Sequence, residues 1–258
     1  MNRRLGLLID LSGTLHIEDV PIGGAVEALK RLRALGLPLR FCTNTTKESG
    51  RALHARLLRC GLEVDRSELY TSLTAARDLV KKRGLRPLLL LEESAKEDFQ
   101  GLDTAEPNAV VVGLAPSAFH YEALNDAFRL LLDGAPLIGI HKGRYYKRGD
   151  GLALGPGAFV SALELSAGVQ AEVVGKPSAS FFHSAAEGLG DLKPEQIVMI
   201  GDDALDDIDG AQAAGLRGIL VQTGKYRQGD ELKLSKGPWR VAEDFAAAVQ
   251  IIEKECCD

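Results

Sequence analysis

The chain has 258 residues, of which 45% are hydrophobic and 26% are charged, and its formal net charge is −5. This is ordinary composition for a soluble globular protein, and the length suits one large domain or two smaller ones. No run of Lys or Arg is long enough to indicate a nucleic-acid or membrane surface. No apolar run approaches the roughly 20 residues that a membrane helix needs.

The four cysteines have no metal-site spacing, and Cys256 and Cys257 are adjacent. Reduced thiols in a cytoplasmic protein are the simplest interpretation, and a nuclear location is left open. The short basic start before the first strand leaves no room for the apolar segment of a signal peptide.

The first predicted element is a buried strand that ends at Asp10. The apolar residues Leu7, Leu8 and Ile9 precede Asp10, and a turn of small residues, Ser12-Gly13-Thr14, follows it. In an open α/β sheet, ligands bind at the carboxyl ends of the strands. Taken alone, however, this stretch favours a simpler interpretation, in which Asp10 caps its own turn.

Helices and strands then alternate, and the spacing of apolar residues predicts each of them. The first part contains a helix through Ala25, Leu29 and Leu32, a strand at 37–42 followed by Thr43 and Asn44, a helix through Leu53 and Leu57, and a short strand at 69–71. This alternation predicts parallel strands joined by right-handed crossovers.

The pattern of predicted strands and helices changes near residue 79, and we interpret residues 79–174 as an inserted α/β domain. Its predicted elements are strands at 87–91, 109–113 and 137–141, a helix at 121–131, and a helix through Phe159 and Leu163. Two further stretches stand out in this domain, the basic and aromatic segment 141–147 and the turn Gly155-Pro156-Gly157.

The strand–helix alternation of the first part of the chain resumes near residue 172. The predicted elements are a helix through Phe181, Phe182, Ala185, Ala186 and Leu189 that Ser178 could cap, a strand at 197–200 followed by Asp202 to Asp207, a strand at 218–222, and a last helix through Phe245, Val249 and Ile252. The whole pattern predicts an α/β protein with a parallel sheet.

Polar groups follow four strands or turns, and each group has a purely structural explanation. Thr43 and Asn44 are common turn residues, Lys176 suits a solvated loop, and the acidic run from Asp202 to Asp207 suits a helix N-terminus. Together with Asp10, however, they would bring three carboxylates and an ammonium group to one edge of the sheet. Clustered carboxylates repel one another unless a cation lies among them, and Mg²⁺ suits such oxygen ligands.

These motifs, in this order, resemble the haloacid dehalogenase superfamily. The residues that carry the resemblance are Asp10-Leu11-Ser12-Gly13-Thr14, Thr43-Asn44, Lys176-Pro177 and Gly201-Asp202-Asp203 with Asp207. The position of the insertion is similar to the branch with a large type IIA cap. The resemblance implies a Rossmann-like catalytic core at 1–78 and 175–258, an inserted α/β cap at 79–174, and a homodimer formed through the cap.

The resemblance also implies a Mg²⁺-dependent phosphatase and a role for each motif residue. Asp10 would attack phosphorus, with Lys176 and Asp207 as further catalytic residues. Ser12, Thr43, Asn44 and Lys176 would bind the small phosphorylated substrate, and the metal would bind Asp10, Asp202 and the main-chain carbonyl of Ser12. Asp203 is open to two interpretations, as a neighbour of the metal or as a structural residue.

Ser12 departs from the family pattern, which usually has a second Asp at this position. A serine hydroxyl does not titrate near neutral pH, so general acid–base help, typically about 10²–10⁴ in rate, is missing. We therefore expect good leaving groups, such as pyrophosphate, phosphoramidates or aryl phosphates, to react better than alkyl esters. A family member that acts on P–N and P–O–P bonds looks as though it carries the same serine.

Three other functions are alternatives to the phosphatase. A catalytically weak phosphate- or metabolite-binding protein is the main alternative, because of Ser12. Carbon–halogen hydrolysis is disfavoured, since Asp202 and Asp207 make sense around a metal which that reaction does not require. A dinucleotide-dependent dehydrogenase is disfavoured because no G-x-G-x-x-G follows the first strand.

The inserted domain is expected to select the substrate. Segment 141–147 and the turn at 155–157 are the candidates for reaching the site. An equally good interpretation is that Tyr145 and Tyr146 pack on the surface of the inserted domain while Arg144 is solvated.

Overall fold

The computed structural model of the chain describes residues 5–148 and 151–257. The basic start of the chain and the side chains of Lys147 and Cys257 lie outside this description. The strands are β1 (Gly6–Asp10), β2 (His16–Ile17), β3 (Val20–Pro21), β4 (Leu39–Thr43), β5 (Leu69–Thr71), β6 (Pro87–Leu90), β7 (Ala109–Val112), β8 (Leu137–Gly139), β9 (Tyr145–Arg148), β10 (Gly151–Leu154), β11 (Glu172–Val173), β12 (Ile197–Gly201), β13 (Arg217–Val221) and β14 (Arg240–Ala242). The α-helices are α1 (Ala25–Ala34), α2 (Gly50–Arg59), α3 (Ser72–Lys82), α4 (Glu93–Lys96), α5 (Tyr121–Leu132), α6 (Gly157–Ala167), α7 (Ala179–Glu187), α8 (Gly210–Ala213) and α9 (Phe245–Cys257). The predicted α/β class is confirmed.

The chain divides into two compact units. The first comprises Met1–Thr43, Arg51–Tyr70 and Lys176–Asp258, and the second comprises Asn44–Gly50 and Thr71–Gly175. The second unit thus begins before the expected start of the cap at residue 79. The physical reason lies in α3, which buries Leu73, Ala76 and Val80 in an apolar cluster of the second unit. That this unit acts as a cap remains a prediction.

The first unit is built on a six-stranded sheet with the strand order β14-β13-β12-β1-β4-β5. β1 lies at its centre, paired in parallel with β12 on one side and β4 on the other. All five residues of β1 and all five of β12 are buried. Continuous apolar runs of this kind are expected where helices cover both faces of a parallel sheet.

The core of the first unit contains the helix stripes that the sequence predicts. α1 buries Ala25, Leu29 and Leu32, and α9 contributes Phe245 and Val249 to the same cluster. Fully burying a side chain such as Leu stabilises the fold by about 1.5–3 kcal/mol. This packing fixes β1, and with it the position of the residues that follow the strand.

The second unit has a parallel sheet of its own, with the order β11-β8-β7-β6, and the antiparallel pair β9–β10. Successive residues of β7 enter different apolar clusters, since Val111 packs with α3 whereas Val110 and Val112 pack with α5 and α6. This alternation follows from the two-residue period of a strand. The sheet is therefore covered on both faces.

Two local predictions differ from the structure. Ser178 stands immediately before α7, but its hydroxyl contacts Ser180 Oγ at 2.8 Å instead of capping the helix. The single helix expected after Asp202 is a π-helix, Ala204–Asp209, followed by the short α8. No helix among the described residues is long and apolar enough to cross a membrane.

Candidate active site

Three carboxylates meet at the carboxyl end of the first unit's sheet. Asp10 is the last residue of β1, Asp202 follows β12, and Asp207 lies in the π-helix. Each offers an oxygen, and these oxygens all lie within 4.8 Å of one another. The exposed fractions are 5%, 2% and 1%, so the carboxylates lie almost completely out of water. Buried carboxylates at this spacing require compensation by cations or hydrogen-bond donors.

Lys176 lies among these carboxylates. Its Nζ is 2.5 Å from Asp10 Oδ1 and 2.6 Å from Asp207 Oδ1, and it donates to the Cys42 carbonyl oxygen at 3.3 Å. Only 4% of the residue is exposed. The interpretation of Lys176 as a solvated loop lysine is therefore wrong.

The electrostatics of the cluster follow from burial and from its charges. Burial, reinforced by the charges of Asp10 and Asp207, raises the pKa of Asp202 well above its ordinary value. Burial also raises the pKa of Asp207 to about 7, against the opposing charge of Lys176. Burial alone would lower the pKa of Lys176, but Asp10 and Asp207 raise it well above its ordinary value. Two of the three carboxylates, Asp10 and Asp207, thus share one buried ammonium group.

This arrangement fits a hard divalent cation. Carboxylate oxygens are the ligands that Mg²⁺ prefers, and a second positive charge would relieve the repulsion that raises the pKa of Asp202. Ser12 supplies another candidate ligand, because no hydrogen bond between described residues ends on its main-chain carbonyl oxygen. The donor set predicted for the metal is therefore chemically suited to it.

The turn after Asp10 is held by short-range hydrogen bonds. The Leu11 carbonyl accepts from the main-chain N–H groups of Leu15 and His16, at 2.8 and 3.2 Å. Gly13 has a φ of 98°, and a Cβ there would overlap Asp202 Oδ2, so a glycine is required on both counts. Ser12 in the same turn is exposed.

Asp10 does contact its own turn, as the simpler interpretation expects. Thr14 Oγ1 donates to Asp10 Oδ2 at 3.2 Å and lies 3.4 Å from Asp202 Oδ1. The same Asp10 carboxylate also binds Lys176 through its other oxygen. Turn capping therefore explains only one of the contacts that Asp10 makes.

Thr43 and Asn44 fall in different units. Thr43 is buried at the end of β4, next to the Cys42 carbonyl that Lys176 binds. Asn44 belongs to the second unit. Its Oδ1 packs against Gly175, because a Cβ added to that glycine would be only 2.6 Å from the oxygen. The substrate-binding roles of Ser12, Thr43 and Asn44 remain predictions.

Asp203 has partners that account for its position. Its Oδ1 accepts from the main-chain N–H groups of Leu205 and Asp206 at 3.1 and 3.0 Å, which caps the π-helix. Its Oδ2 lies 3.1 Å from Lys225 Nζ. Of the two interpretations of Asp203, these contacts support the structural one.

Four residues beside the carboxylates have no role assigned from the sequence: Thr14, Thr223, Gly224 and Lys225. Lys225 donates its main-chain N–H to Asp202 Oδ2 at 2.7 Å, and Thr223 donates its hydroxyl to the Gly13 carbonyl at 2.5 Å. One signal was available, because Thr223 closely follows the end of β13, where a parallel sheet places functional groups.

The candidates for substrate selection lie in the second unit. Lys47 Nζ is 3.9 Å from the ring centroid of Tyr146, and Lys142 pairs with Glu164 at 2.7 Å. Tyr145 and Arg144 are exposed. Tyr146 is half-buried, which agrees with the packing interpretation for this residue.

The chain is similar to haloacid dehalogenase-like hydrolases along nearly its whole length. A model of that name matches residues 7–105, and a HAD-hydrolase-like model matches residues 173–248. Haloacid dehalogenase-like hydrolase domain-containing protein 2 of Bos taurus is 58% identical over 246 residues, 95% of each chain. Phospholysine phosphohistidine inorganic pyrophosphate phosphatase of Homo sapiens is 42% identical over 232 residues, 88% of this chain and 86% of the relative.

Solved structures give the same result. A 4-nitrophenylphosphatase from Thermotoga maritima is 25% identical, with a TM-score of 0.89 over 96% of this chain and 97% of that one. A glycerol phosphate phosphatase from Mycobacterium tuberculosis, solved in complex with magnesium, is 27% identical, with a TM-score of 0.85 over 95% of this chain and 76% of that one. Since relatives that cover nearly all of it are more than half identical, the chain belongs to the haloacid dehalogenase-like hydrolase family.

Proposed function

We propose that the protein is a Mg²⁺-dependent phosphohydrolase that acts on small phosphate compounds through an aspartyl-phosphate at Asp10. The observation that carries this proposal is the contact of the buried Asp10 carboxylate with Lys176 Nζ, beside Asp202 and Asp207. Family membership supports it, as do the relatives and neighbouring structures whose names describe phosphatases.

Asp10 is the nucleophile in this proposal. Its carboxylate oxygen forms a bond to phosphorus while the P–O or P–N bond to the leaving group breaks, and the leaving group departs with the electron pair. Water then attacks phosphorus and releases phosphate, and Asp10 regains its carboxylate. Lys176 stabilises the negative charge on the transferring phosphoryl group, and Asp207 orients Lys176 through their 2.6 Å contact.

Asp10, Asp202 and the Ser12 carbonyl would hold Mg²⁺. When bound, the ion would offset the repulsion between the anionic nucleophile and the anionic phosphate. Thr43 and Asn44 would hold phosphate oxygens, since phosphoryl transfer depends mainly on positioning and charge stabilisation.

The substrate class follows from Ser12. Its hydroxyl cannot protonate a departing alkoxide, so compounds with good leaving groups are favoured, among them pyrophosphate, phosphohistidine, phospholysine and aryl phosphates. The name of the human relative that is 42% identical includes three of these compounds. We propose that this chain acts on the same class.

A catalytically weak phosphate- or metabolite-binding protein is the second candidate, and Ser12 is the observation that favours it. Such a protein would keep the carboxylate cluster and Lys176 for binding and would lack turnover. The two candidates are separated by measuring phosphate release.

Asp10→Asn tests the proposed function. Loss of the nucleophile should lower phosphate release from pyrophosphate or 4-nitrophenyl phosphate by at least about 10³-fold. Asp19→Asn is the matched control, because Asp19 lies in the same region and is exposed. Chelation should abolish release in the wild type, and added Mg²⁺ should restore it. Turnover by Asp10→Asn at the wild-type rate would contradict the proposal.

Two further predictions belong to the same proposal. A homodimer through the second unit is supported by Tyr145 and Leu154, which lie opposite each other in the β9–β10 pair and are 46% and 65% exposed. Light scattering of the purified protein tests it. A cytoplasmic location is supported by the buried thiols of Cys42 and Cys60, neither of which forms a disulfide with another described residue.

A further inference from the structure

The segment Thr223-Gly224-Lys225 contacts both the turn after Asp10 and the Asp202 carboxylate. Thr223 Oγ1 donates a hydrogen bond of 2.5 Å to the carbonyl oxygen of Gly13. Gly13 follows Ser12, whose own carbonyl is a proposed metal ligand. The hydroxyl of Thr223 therefore restrains the part of the turn that carries this ligand.

Gly224 allows the segment to pass close to both groups. Its φ is 56°, and a Cβ there would overlap Asp202 Oδ2 and lie 2.5 Å from the Cα of Gly13. The main chain at residue 224 thus packs against the carboxylate and the turn at the same time.

Lys225 completes the contact through its main chain. Its N–H donates to Asp202 Oδ2 at 2.7 Å, while its Nζ pairs with Asp203 Oδ2 at 3.1 Å. Because Lys225 binds Oδ2 of Asp202, the other oxygen, Oδ1, points toward Thr14. The distance from Asp202 Oδ1 to the Thr14 hydroxyl is 3.4 Å. One rotamer of Asp202 is therefore favoured.

We propose that Thr223, Gly224 and Lys225 are positioning residues that hold the Ser12–Gly13 turn and the Asp202 carboxylate in the arrangement that binds the metal. The inference rests on the proposed function, since it assumes that Asp202 and the Ser12 carbonyl are metal ligands. Groups that orient metal ligands typically contribute 10–100-fold to metal affinity or activity. If the segment only closed the end of the sheet, its loss would lower stability and leave metal affinity unchanged.

The test is the affinity of the full chain for Mn²⁺, measured by calorimetry without substrate. Thr223→Val keeps the shape of the side chain and removes the donor, so we expect binding at least about 10-fold weaker than in the wild type. Thr223→Ser restores the hydroxyl and should bind within about threefold of the wild type. Thr104→Val, the same substitution at an exposed position, is the matched control.

Thr223→Ala provides a second variant without the hydroxyl, and it should lose affinity to the same extent. Wild-type affinity in both Thr223→Val and Thr223→Ala would overturn the inference, as would equally weak binding by Thr223→Ser and Thr223→Val. Phosphate release is measured separately. A wild-type protein that hydrolyses phosphate compounds while both Thr223→Val and Thr223→Ala bind Mn²⁺ normally would overturn this inference and leave the proposed function intact.

Discussion

Ser12 decides which substrates the proposed enzyme can use. The residue follows the nucleophile by two positions, its side chain is exposed, and its main-chain carbonyl accepts no hydrogen bond from a described residue. The proposed metal ligand at this position is a main-chain atom, so replacing the usual aspartate would change proton transfer without removing the ligand. Metal binding and acid–base catalysis are thus separable at this residue.

Ser12→Asp should restore the missing acid. We expect hydrolysis of a simple alkyl phosphate to rise by about 10²-fold, while pyrophosphate hydrolysis changes little because its leaving group needs less protonation. Initial rates of phosphate release with both substrates measure the effect. Ser12→Asn has a side chain of similar size with no acid and serves as the control. Equal rates for the two variants on the alkyl phosphate would contradict the explanation.

Cys42 should be inert to thiol reagents in the folded protein. Its side chain is fully buried, and burial raises the pKa of the thiol to about 12. At pH 8 only about one thiol in 10⁴ would be ionised, and the thiolate is the reactive form. Native wild type and Cys42→Ala should therefore release the same amount of product with a chromogenic disulfide reagent, and differ by one thiol after denaturation. A difference of one thiol in the native state would show that the thiol is accessible.

At the scale of the elements, the ends of the strands were more predictable than the loops between them. Asp10 ends one strand and Asp202 follows another, and the apolar runs of both strands are visible in the sequence, so a parallel sheet was sufficient to bring the two residues together. Thr223 and Lys225 act on Asp202 and Gly13 from a loop over 20 residues away from Asp202 along the chain. No periodicity marks such a contact, because it depends on the path of a turn at Gly224 and on one main-chain N–H.

Helix ends were also harder to predict than helix interiors. The stripe of Ala25, Leu29 and Leu32 is set by burial, and the structure confirms it. Ser178 has the right residue type for a cap, yet its hydroxyl binds Ser180. Burial constrains many residues together, whereas a cap depends on one rotamer, which the sequence pattern does not specify.

Glu164 of α6 binds two loops of the second unit and should give this unit pH-dependent stability. It accepts from Lys142 Nζ at 2.7 Å and from the Ala171 N–H at 2.9 Å. Burial alone would raise the pKa of Glu164, but these hydrogen bonds outweigh it and lower the pKa below its ordinary value. A lowered pKa in the folded state stabilises the protein above the unfolded pKa, and this contribution is lost as the pH falls through the folded value.

Glu164→Gln should therefore lower the free energy of unfolding by about 0.5–1 kcal/mol at pH 7, a modest value because Lys142 is partly exposed. The difference from the wild type should shrink as the pH falls below about 4.5, where the glutamate of the unfolded chain is protonated. Urea denaturation at several pH values measures it. Glu187→Gln, at an exposed position, is the control. If the free energy of unfolding of Glu164→Gln stays below that of the wild type by the same amount from pH 7 to pH 3, the ion pair is not the source of the difference.

At the scale of the whole molecule, the order of the motifs predicted more than any one of them. Asp10, Lys176 and Asp207 are far apart in the chain, and each alone had a structural explanation. The first unit is assembled from three separate stretches of the chain, and it is this assembly that places Lys176 between two carboxylates. The physiological substrate is not encoded in these residues, because the chemistry at Asp10 would be the same for every phosphate compound.

The proposed mechanism requires that the Asp10 carboxylate becomes covalently phosphorylated during turnover. The direct measurement is to quench the enzyme with acid while it hydrolyses pyrophosphate in the presence of Mg²⁺, and to reduce the product with borohydride, which converts an aspartyl-phosphate to homoserine. We predict homoserine at position 10 by peptide mass spectrometry, in amounts that fall to background when substrate is omitted. Active enzyme that contains unmodified aspartate at position 10, or homoserine at another aspartate, would contradict the account.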